Sequence, residues 1–212
     1  MGLLASPILI LLDPRFVPAP ILLSTMVLVV LLTHRERHAI DLHGLRWAVA
    51  GRVAGTAAAA GVLIVVPGDR LVLLLGALIL FGIAMSVSGL RFAPSRWVLV
   101  AAGILSGIMG TVASIGGPPM ALVYQDAPGA RIRSTMSGFF LVATIISLVA
   151  LRLVGRFGMY EVRLALIMLP SLLAGYVLSR WTAGLVDRGY TRRTVLVVAG
   201  GAGVAVIVRQ VL

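Results

Sequence analysis

The protein is a chain of 212 residues, of which 60% are hydrophobic and only 12% are charged, and its mean hydropathy is +1.09. A soluble domain carries about 25% charged residues, so this composition excludes an ordinary soluble protein and indicates a single integral membrane domain over residues 1–212. The net charge is +11, but the arginines stand in short breaks between apolar runs. That placement is typical of membrane-flanking residues and not of a nucleic-acid-binding face.

Seven apolar runs follow one another along the chain, and most approach the roughly 20 residues that a helix needs to cross a bilayer. They cover residues 18–33, 45–67, 70–88, 97–115, 132–154, 162–182 and 195–208. Two shorter apolar segments, residues 7–12 and 120–125, are half that length. The sequence therefore predicts an all-α, polytopic helical membrane protein with about seven spans and additional half-helices.

The stretch Ser-Ile-Gly-Gly-Pro-Pro at residues 114–119 interrupts this apolar sequence. It cannot continue a helix, because proline lacks the N–H and glycine adds backbone freedom. In hydrocarbon, irregular backbone survives only if it is buried in protein or lines a polar cavity. We therefore predict an anion site in which backbone N–H groups and the positive end of the next half-helix bind the ligand. Its residues would be Gly116, Gly117, Pro118 and Pro119, whereas the alternative is a structural kink.

An internal repeat places a second, weaker break near the start of the chain. A proline-started apolar segment, an acid, a second proline and the triplet Ser-Thr-Met recur in residues 7–26 and 119–136. The predicted units are residues 1–88 and 97–212, and two broken segments at matching positions indicate a transporter site. The hydroxyls near the break and one turn inside the next helices are candidate oxyanion donors, or neutral contacts between helices. They are Ser24, Thr25, Ser114, Ser134 and Thr135.

Residues 114–119, followed by Pro128, by Arg-Ser-Thr at 133–135 and by Phe-Phe at 139–140, resemble the second-half signature of the sulfite exporter TauE/SafE family. The resemblance extends over essentially the whole chain, although the first-half motif is degraded. It implies a multi-pass transporter of small sulfur-containing or other organic anions in the bacterial inner membrane, without an ATPase domain.

The first unit departs from this pattern, because no helix precedes its break. By the repeat, residues 4–6 stand where residues 116–118 stand, so the pattern predicts that a first helix is missing. Either translation starts upstream of Met1, which we favour, or the chain is a shortened member of the family.

The arginine distribution depends on the path of residues 97–125. If this segment crosses the membrane once, nine arginines fall on the side of the Arg35 loop and eight on the other, which gives no orientation. If it enters and returns, the counts become eleven and six. The second path predicts that the Arg35 side is cytoplasmic and that the two units are inverted, and we favour it.

Arg52 lies inside an apolar run, where an arginine costs about 2.5–3.5 kcal/mol. It either binds a sulfonate or carboxylate through its planar fork or extends back to the interface at Arg46. Asp13 and Asp126 follow the two half-helices; we interpret them as turn caps, with proton coupling as the alternative. Three histidines share a loop rich in arginine that would repel a metal cation, so no metal site is predicted.

The leading hypothesis is a secondary carrier of small organic or sulfur-containing anions of the sulfite, sulfonate or carboxylate type. Its predicted partners are the lipid bilayer, the anion and a coupling proton or ion, without nucleic acid or cofactor. A non-transporting or partner-dependent membrane subunit is the alternative. A membrane-embedded enzyme is less favoured, because no apolar run contains His, Lys or Cys and the acids stand at run ends.

Overall fold

The computed structural model of the protein describes residues 2–36, 41–186, 198–206 and 208. Within these ranges the regular structure is entirely helical, which confirms the predicted all-α class. The helices are α1 (Gly2–Leu12), α2 (Ala19–Glu36), α3 (Leu42–Val65), α4 (Gly68–Val87), α5 (Arg96–Ala113), α6 (Gly117–Tyr124), α7 (Gly129–Leu153) and α8 (Met159–Val186). A 3₁₀ turn covers Pro14–Phe16, and residues 198–206 are helical, whereas the start of the last predicted run lies outside the described residues.

Five of these helices, α3, α4, α5, α7 and α8, are long and apolar enough to cross a membrane. The shorter apolar helix Ala19–His34 and the described part of the last run are compatible with the predicted seven spans. Large apolar side chains stand on the outside of the bundle: Leu153 is 82% exposed and Ile167 is 70% exposed. In water these side chains would be unfavourable, whereas lipid covers them, so the protein is a multi-pass membrane protein.

The two half-helices begin differently. At the second break, Ser114 adopts a left-handed conformation with φ of 59° and ends α5, and α6 then starts with prolines in its first turn. Proline is suited to that position because the first N–H groups of a helix have no partner within it. The first half-helix begins at Gly2, five residues before its predicted start at Pro7, and Pro7 lies inside the helix. Residues 4–6 are Leu-Ala-Ser and lack the Gly-Gly-Pro that stands at the matching positions 116–118 of the second unit, so the helix continues through them.

The segment formed by α5 and α6 enters the bundle and returns. Arg91, before α5, pairs with Asp126, after α6, at 3.1 Å, and the Gln125 amide donates to the Leu90 carbonyl at 2.7 Å. Both ends of the segment therefore lie at the same end of the bundle. This is the path that gives the eleven-to-six arginine distribution.

The helices α3, α5 and α7 all begin at this end, which we name side X; the opposite end is side Y. Helices α3 and α5 run parallel, since Gly51 meets Val100 and Gly55 meets Ile104. Helix α7 starts beside α3, where Arg131 pairs with Asp41 at 3.1 Å. The positive-inside rule then predicts that side X is cytoplasmic.

Single cysteines in this cysteine-free chain can test the returning path. We expect Arg91→Cys and Asp126→Cys to react with an impermeant maleimide from the same membrane side, and Arg156→Cys from the other. The first two substitutions remove an exposed ion pair worth at most about 1 kcal/mol, so folding should persist. Labelling of positions 91 and 126 from opposite sides would show instead that the segment crosses once.

Candidate substrate-binding site

Small residues bring the backbones of α3 and α5 into contact and thereby position Arg52. Each helix carries a Gly-xxx-Gly pattern, Gly51 with Gly55 and Gly103 with Gly107. A Cβ atom added at Gly55 would lie 2.8 Å from the carbonyl carbon of Ile104, so no larger residue fits there. Close approach of this kind is the usual basis of helix packing in membranes.

The guanidinium of Arg52 lies in the interior of the bundle, and the residue is only 2% exposed. Its Nη1 donates to the carbonyl and, at 3.0 Å, to the hydroxyl of Ser106 on α5. Its Nη2 donates to the Ser147 hydroxyl at 2.7 Å and to the Ala143 carbonyl at 3.5 Å, both on α7. Arg52 therefore connects three helices and does not extend back to the Arg46 interface.

All of these acceptors are neutral oxygens, so they satisfy the N–H groups of Arg52 but do not compensate its positive charge. Among the described residues, the ion pairs are Arg91–Asp126 and Arg131–Asp41, and neither includes Arg52. Its Nε–H, moreover, is buried without a hydrogen-bond partner. A buried cation without a counter-ion is costly, and an anion beside it would remove much of that cost.

Arg52 also lies against the helix break. A Cβ atom at Gly116 would approach its Nη1 to 2.8 Å, and one at Gly110 would approach its Nη2 to 2.7 Å. The Ser106 hydroxyl, which accepts from Arg52, itself donates to the Gly116 carbonyl at 2.7 Å. The absence of side chains at these two glycines is what gives the guanidinium its space.

A series of buried hydroxyl groups on α7, α5 and α3 is connected to Arg52 by hydrogen bonds. Ser147 lies 2.8 Å from Thr111, and Thr111 lies 3.1 Å from Thr56, oxygen to oxygen. Each hydroxyl can donate one hydrogen bond while it accepts another. This series therefore holds Ser147 in place as an acceptor for the guanidinium.

A cavity of about 270 Å³ lies beside the guanidinium and is lined along one wall by α2; we name it the α2 cavity. Of the residues predicted from sequence, six line it: Thr25, Arg52, Ser114, Gly116, Gly117 and Pro118. Two of the four break residues are prolines in the first turn of α6 and have no N–H. Arg52 is therefore a stronger candidate donor than the backbone of α6.

The other predicted residues, Pro119, Ser24, Ser134 and Thr135, are buried but are not among the residues that line this cavity. The Ser24 hydroxyl donates within its own helix, to the Pro20 carbonyl at 2.8 Å. The Thr135 hydroxyl accepts from the backbone N–H of Asp41 at 3.0 Å, at side X. The repeat thus places equivalent hydroxyls in different surroundings.

The acids at the ends of the half-helices have local partners. Asp13 accepts from the Arg15 N–H at 2.9 Å in the 3₁₀ turn, and Asp126 belongs to the exposed pair with Arg91. Asp13 therefore caps its turn, whereas the contact of Asp126 is an ion pair with another loop, so a turn cap at Asp126 stays a prediction. Asp41 is a more enclosed carboxylate than Asp126 and caps α3 by accepting from the Gly44 N–H at 3.1 Å.

Sequence reasoning missed several residues around Arg52, namely Ser106, Gly110, Thr144 and Ser147. Arg52 lies within the Gly-xxx-Gly pattern of α3, and Ser106 lies within that of α5. These two patterns could have indicated the α3–α5 interface. Nothing in the sequence points from Arg52 to Ser147, 95 residues away, because that contact exists only once α7 packs against α3.

Comparison of the chain with known protein families agrees with the motif found within residues 114–140. The model of the family "Sulfite exporter TauE/SafE" matches residues 1–206, which confirms the resemblance inferred from residues 114–140. The chain matches no curated protein and no solved structure. With a family match over nearly its whole length and a bundle of membrane-spanning helices around a broken segment, the chain belongs to the sulfite exporter TauE/SafE family of membrane transporters.

Proposed function

We propose that the protein is a secondary carrier of small organic or sulfur-containing anions in the bacterial inner membrane, and that Arg52 binds the anion in the α2 cavity. The observation that carries this proposal is the uncompensated charge of Arg52 beside the break at Gly116. Charge-assisted hydrogen bonds from a guanidinium to a sulfonate or carboxylate are among the strongest polar contacts in proteins.

The surroundings of the cavity favour a transporter over a protein that binds an anion without transporting it. The cavity is lined by residues of α2, α3, α5, α6 and α7, between the re-entrant segment and α2, and transporters commonly bind their substrates beside such broken helices. Helix α6 is only eight residues long and begins beside the cavity. The positive end of its dipole adds to the attraction for an anion.

The test is transport by the purified chain in liposomes, with labelled methanesulfonate, sulfite and acetate as probes. We expect Arg52→Gln to weaken the apparent affinity about 10-fold to 100-fold, because hydrogen bonds to a charged group contribute about 1.5–3 kcal/mol. Arg52→Lys should restore part of it, since the charge remains and the planar fork is lost.

Arg46→Gln is the matched control. Arg46 is on the same helix, but its side chain is exposed and stacks over Trp47. We expect this variant to transport like the parent chain. Equal affinities for the parent and Arg52→Gln would remove Arg52 from the binding site, and failure of the parent chain to transport any anion would contradict the carrier function.

A further inference from the structure

A second cavity, of about 560 Å³, lies at side Y, and we name it the side-Y cavity. It is lined by the 3₁₀ turn and the start of α2, the end of α3, the first turns of α4 and the loop from α7 into α8. Its described lining residues include none of those that line the α2 cavity. Pro18 lines the side-Y cavity, and its carbonyl accepts from the Ser114 hydroxyl, which lines the α2 cavity, at 3.1 Å. The start of α2 therefore separates the two cavities.

The buried and the exposed residues that line the side-Y cavity differ in chemistry. The charged and phenolic residues are the exposed Arg15, Arg156 and Tyr160 and the half-buried Glu161. The buried lining residues are all apolar, and they are Val17, Pro18, Ala19, Pro20, Leu63 and Leu75. A ligand that fills the cavity therefore meets charged groups at its solvent-exposed mouth and hydrocarbon at its buried wall.

The mouth carries an excess of one positive charge. Arg15 and Arg156 are opposed by one carboxylate among the described lining residues, that of Glu161. The Glu161 carboxylate accepts from the Gly158 N–H at 2.7 Å at the start of α8, and Asp13, outside the lining, caps the 3₁₀ turn. The two ion pairs in the described part of the chain are both at side X. A ligand with a single negative charge would therefore balance the mouth.

Both arginines retain donors for such a ligand. The Arg156 Nη2 donates to the Leu63 carbonyl at 3.2 Å, and the Arg15 guanidinium interacts with the Tyr160 side chain. A guanidinium has five N–H donors, so these contacts use only part of each group. Arginine forms bidentate hydrogen bonds with phosphate, and these are among the stronger polar contacts in proteins.

Membrane lipid reaches the mouth of this cavity. Val65, two residues after the lining residue Leu63, is 79% exposed, and Leu153, two residues before the lining residue Gly155, is 82% exposed. Lipid covers apolar side chains of this kind in a membrane protein. Tyr160 at the mouth belongs to a residue type that is enriched at membrane–water interfaces. The cavity is therefore accessible to the lipid at side Y.

The volume of the cavity favours a ligand larger than a small free anion. Ligand sites commonly span about 300–1,000 Å³, and the side-Y cavity falls within that range, whereas the α2 cavity, at about 270 Å³, is half its size. A small oxyanion held by the arginines would leave the buried apolar wall uncovered. A phosphate joined to glycerol and to the first carbon atoms of two acyl chains would cover both.

We propose that the side-Y cavity binds a membrane phospholipid by its headgroup. The phosphodiester, which has one negative charge, binds Arg15 and Arg156, and the glycerol and the first acyl carbons lie against the buried apolar wall. This lipid site goes beyond the proposed transport function and does not depend on Arg52.

The experiment is native mass spectrometry of the purified protein with dihexanoyl-phosphatidylglycerol, which gives the apparent affinity of the first bound molecule. Glycerophosphoglycerol has the same headgroup without acyl chains, and dihexanoylglycerol has the same chains without phosphate. Both should bind at least about tenfold more weakly than the lipid, because each makes only one of the two sets of contacts. Equal affinity of glycerophosphoglycerol and the lipid would show a site for free anions and overturn the lipid site.

The arginines are tested by a charge-matched pair of double variants. Arg15→Gln with Arg156→Gln should weaken lipid binding at least about fivefold, and the corresponding double lysine variant should restore part of it. The control is Arg70→Gln with Arg163→Gln, since these arginines are exposed near the same ends of α4 and α8 and do not line the cavity. This control should bind the lipid like the parent chain, and equal losses in the two glutamine variants would contradict the proposal.

Two further variants keep the test decisive. The Arg156 side chain contacts a backbone carbonyl, so thermal unfolding without lipid checks the fold of the double variant. If that variant does not fold, Arg15→Gln alone should still weaken lipid binding about threefold, and unchanged binding would contradict the proposal. Arg52→Gln should bind the lipid like the parent chain, so failure of the anion site and failure of the lipid site are distinguishable.

Discussion

Replacement of Gly116 by leucine is expected to lower anion transport by at least about 10-fold, because a displaced guanidinium loses its charge-assisted interaction with the anion, which contributes about 1.5–3 kcal/mol. The backbone of Gly116 is in an ordinary conformation, with φ of −84°, so the substitution causes no backbone strain. Its effect is steric. A Cβ atom there would lie 2.8 Å from Arg52 Nη1 and 2.9 Å from the Ser106 hydroxyl, so the guanidinium must leave its position.

A glycine away from the cavity provides the control. A Cβ atom at Gly175 in α8 would meet nothing within 4 Å, and Gly175 is not among the residues that line the α2 cavity. Gly175→Ala should therefore transport like the parent chain, whereas Gly116→Ala should already be impaired. Initial transport rates in liposomes are the measurement, and thermal unfolding in detergent separates loss of function from loss of fold. A folded Gly116→Leu protein with normal transport would remove the break from the substrate site.

The second large effect is expected at the α3–α5 interface, where Gly51→Leu should prevent accumulation of folded protein. A Cβ atom at Gly51 would lie 2.8 Å from the Val100 carbonyl carbon, and backbone atoms cannot give way as a flexible side chain can. Overpacking of a tight core costs about 1–3 kcal/mol and occasionally more, so the milder Gly51→Ala should already lower the melting temperature by several degrees.

Gly61→Ala is the matched control for Gly51→Ala, because Gly61 lies on the same helix and an added Cβ atom would meet nothing within 4 Å. In a helix, alanine is more favourable than glycine by about 1 kcal/mol, so Gly61→Ala should leave the melting temperature unchanged or raise it. The measurement is thermal unfolding with size-exclusion profiles in one detergent. Equal melting temperatures for Gly51→Ala and Gly61→Ala would mean that close backbone contact does not hold α3 against α5.

The sequence was sufficient for the class of protein and for the position of the break. Apolar runs of membrane-spanning length depend only on local composition, and the Gly-Gly-Pro-Pro stretch breaks a helix through the backbone properties of its own residues. Arg52 could be singled out for the same reason, since a charge inside an apolar run is costly wherever the run packs. The family resemblance also depended on short motifs within residues 114–140, and the match over residues 1–206 confirmed it.

The tertiary structure decided which of these residues meet. Thr25 lines the α2 cavity and Thr135 binds the Asp41 backbone, although the repeat gives them equivalent positions in sequence. The returning path of α5 and α6 was one of two alternatives until the contact between Arg91 and Asp126 placed both ends together. Arg52 finds its partners on α5 and α7, 54 and 95 residues away. Such contacts arise from helix packing, in which glycines let backbones touch, and helix packing depends on pairs of distant residues that no local pattern encodes.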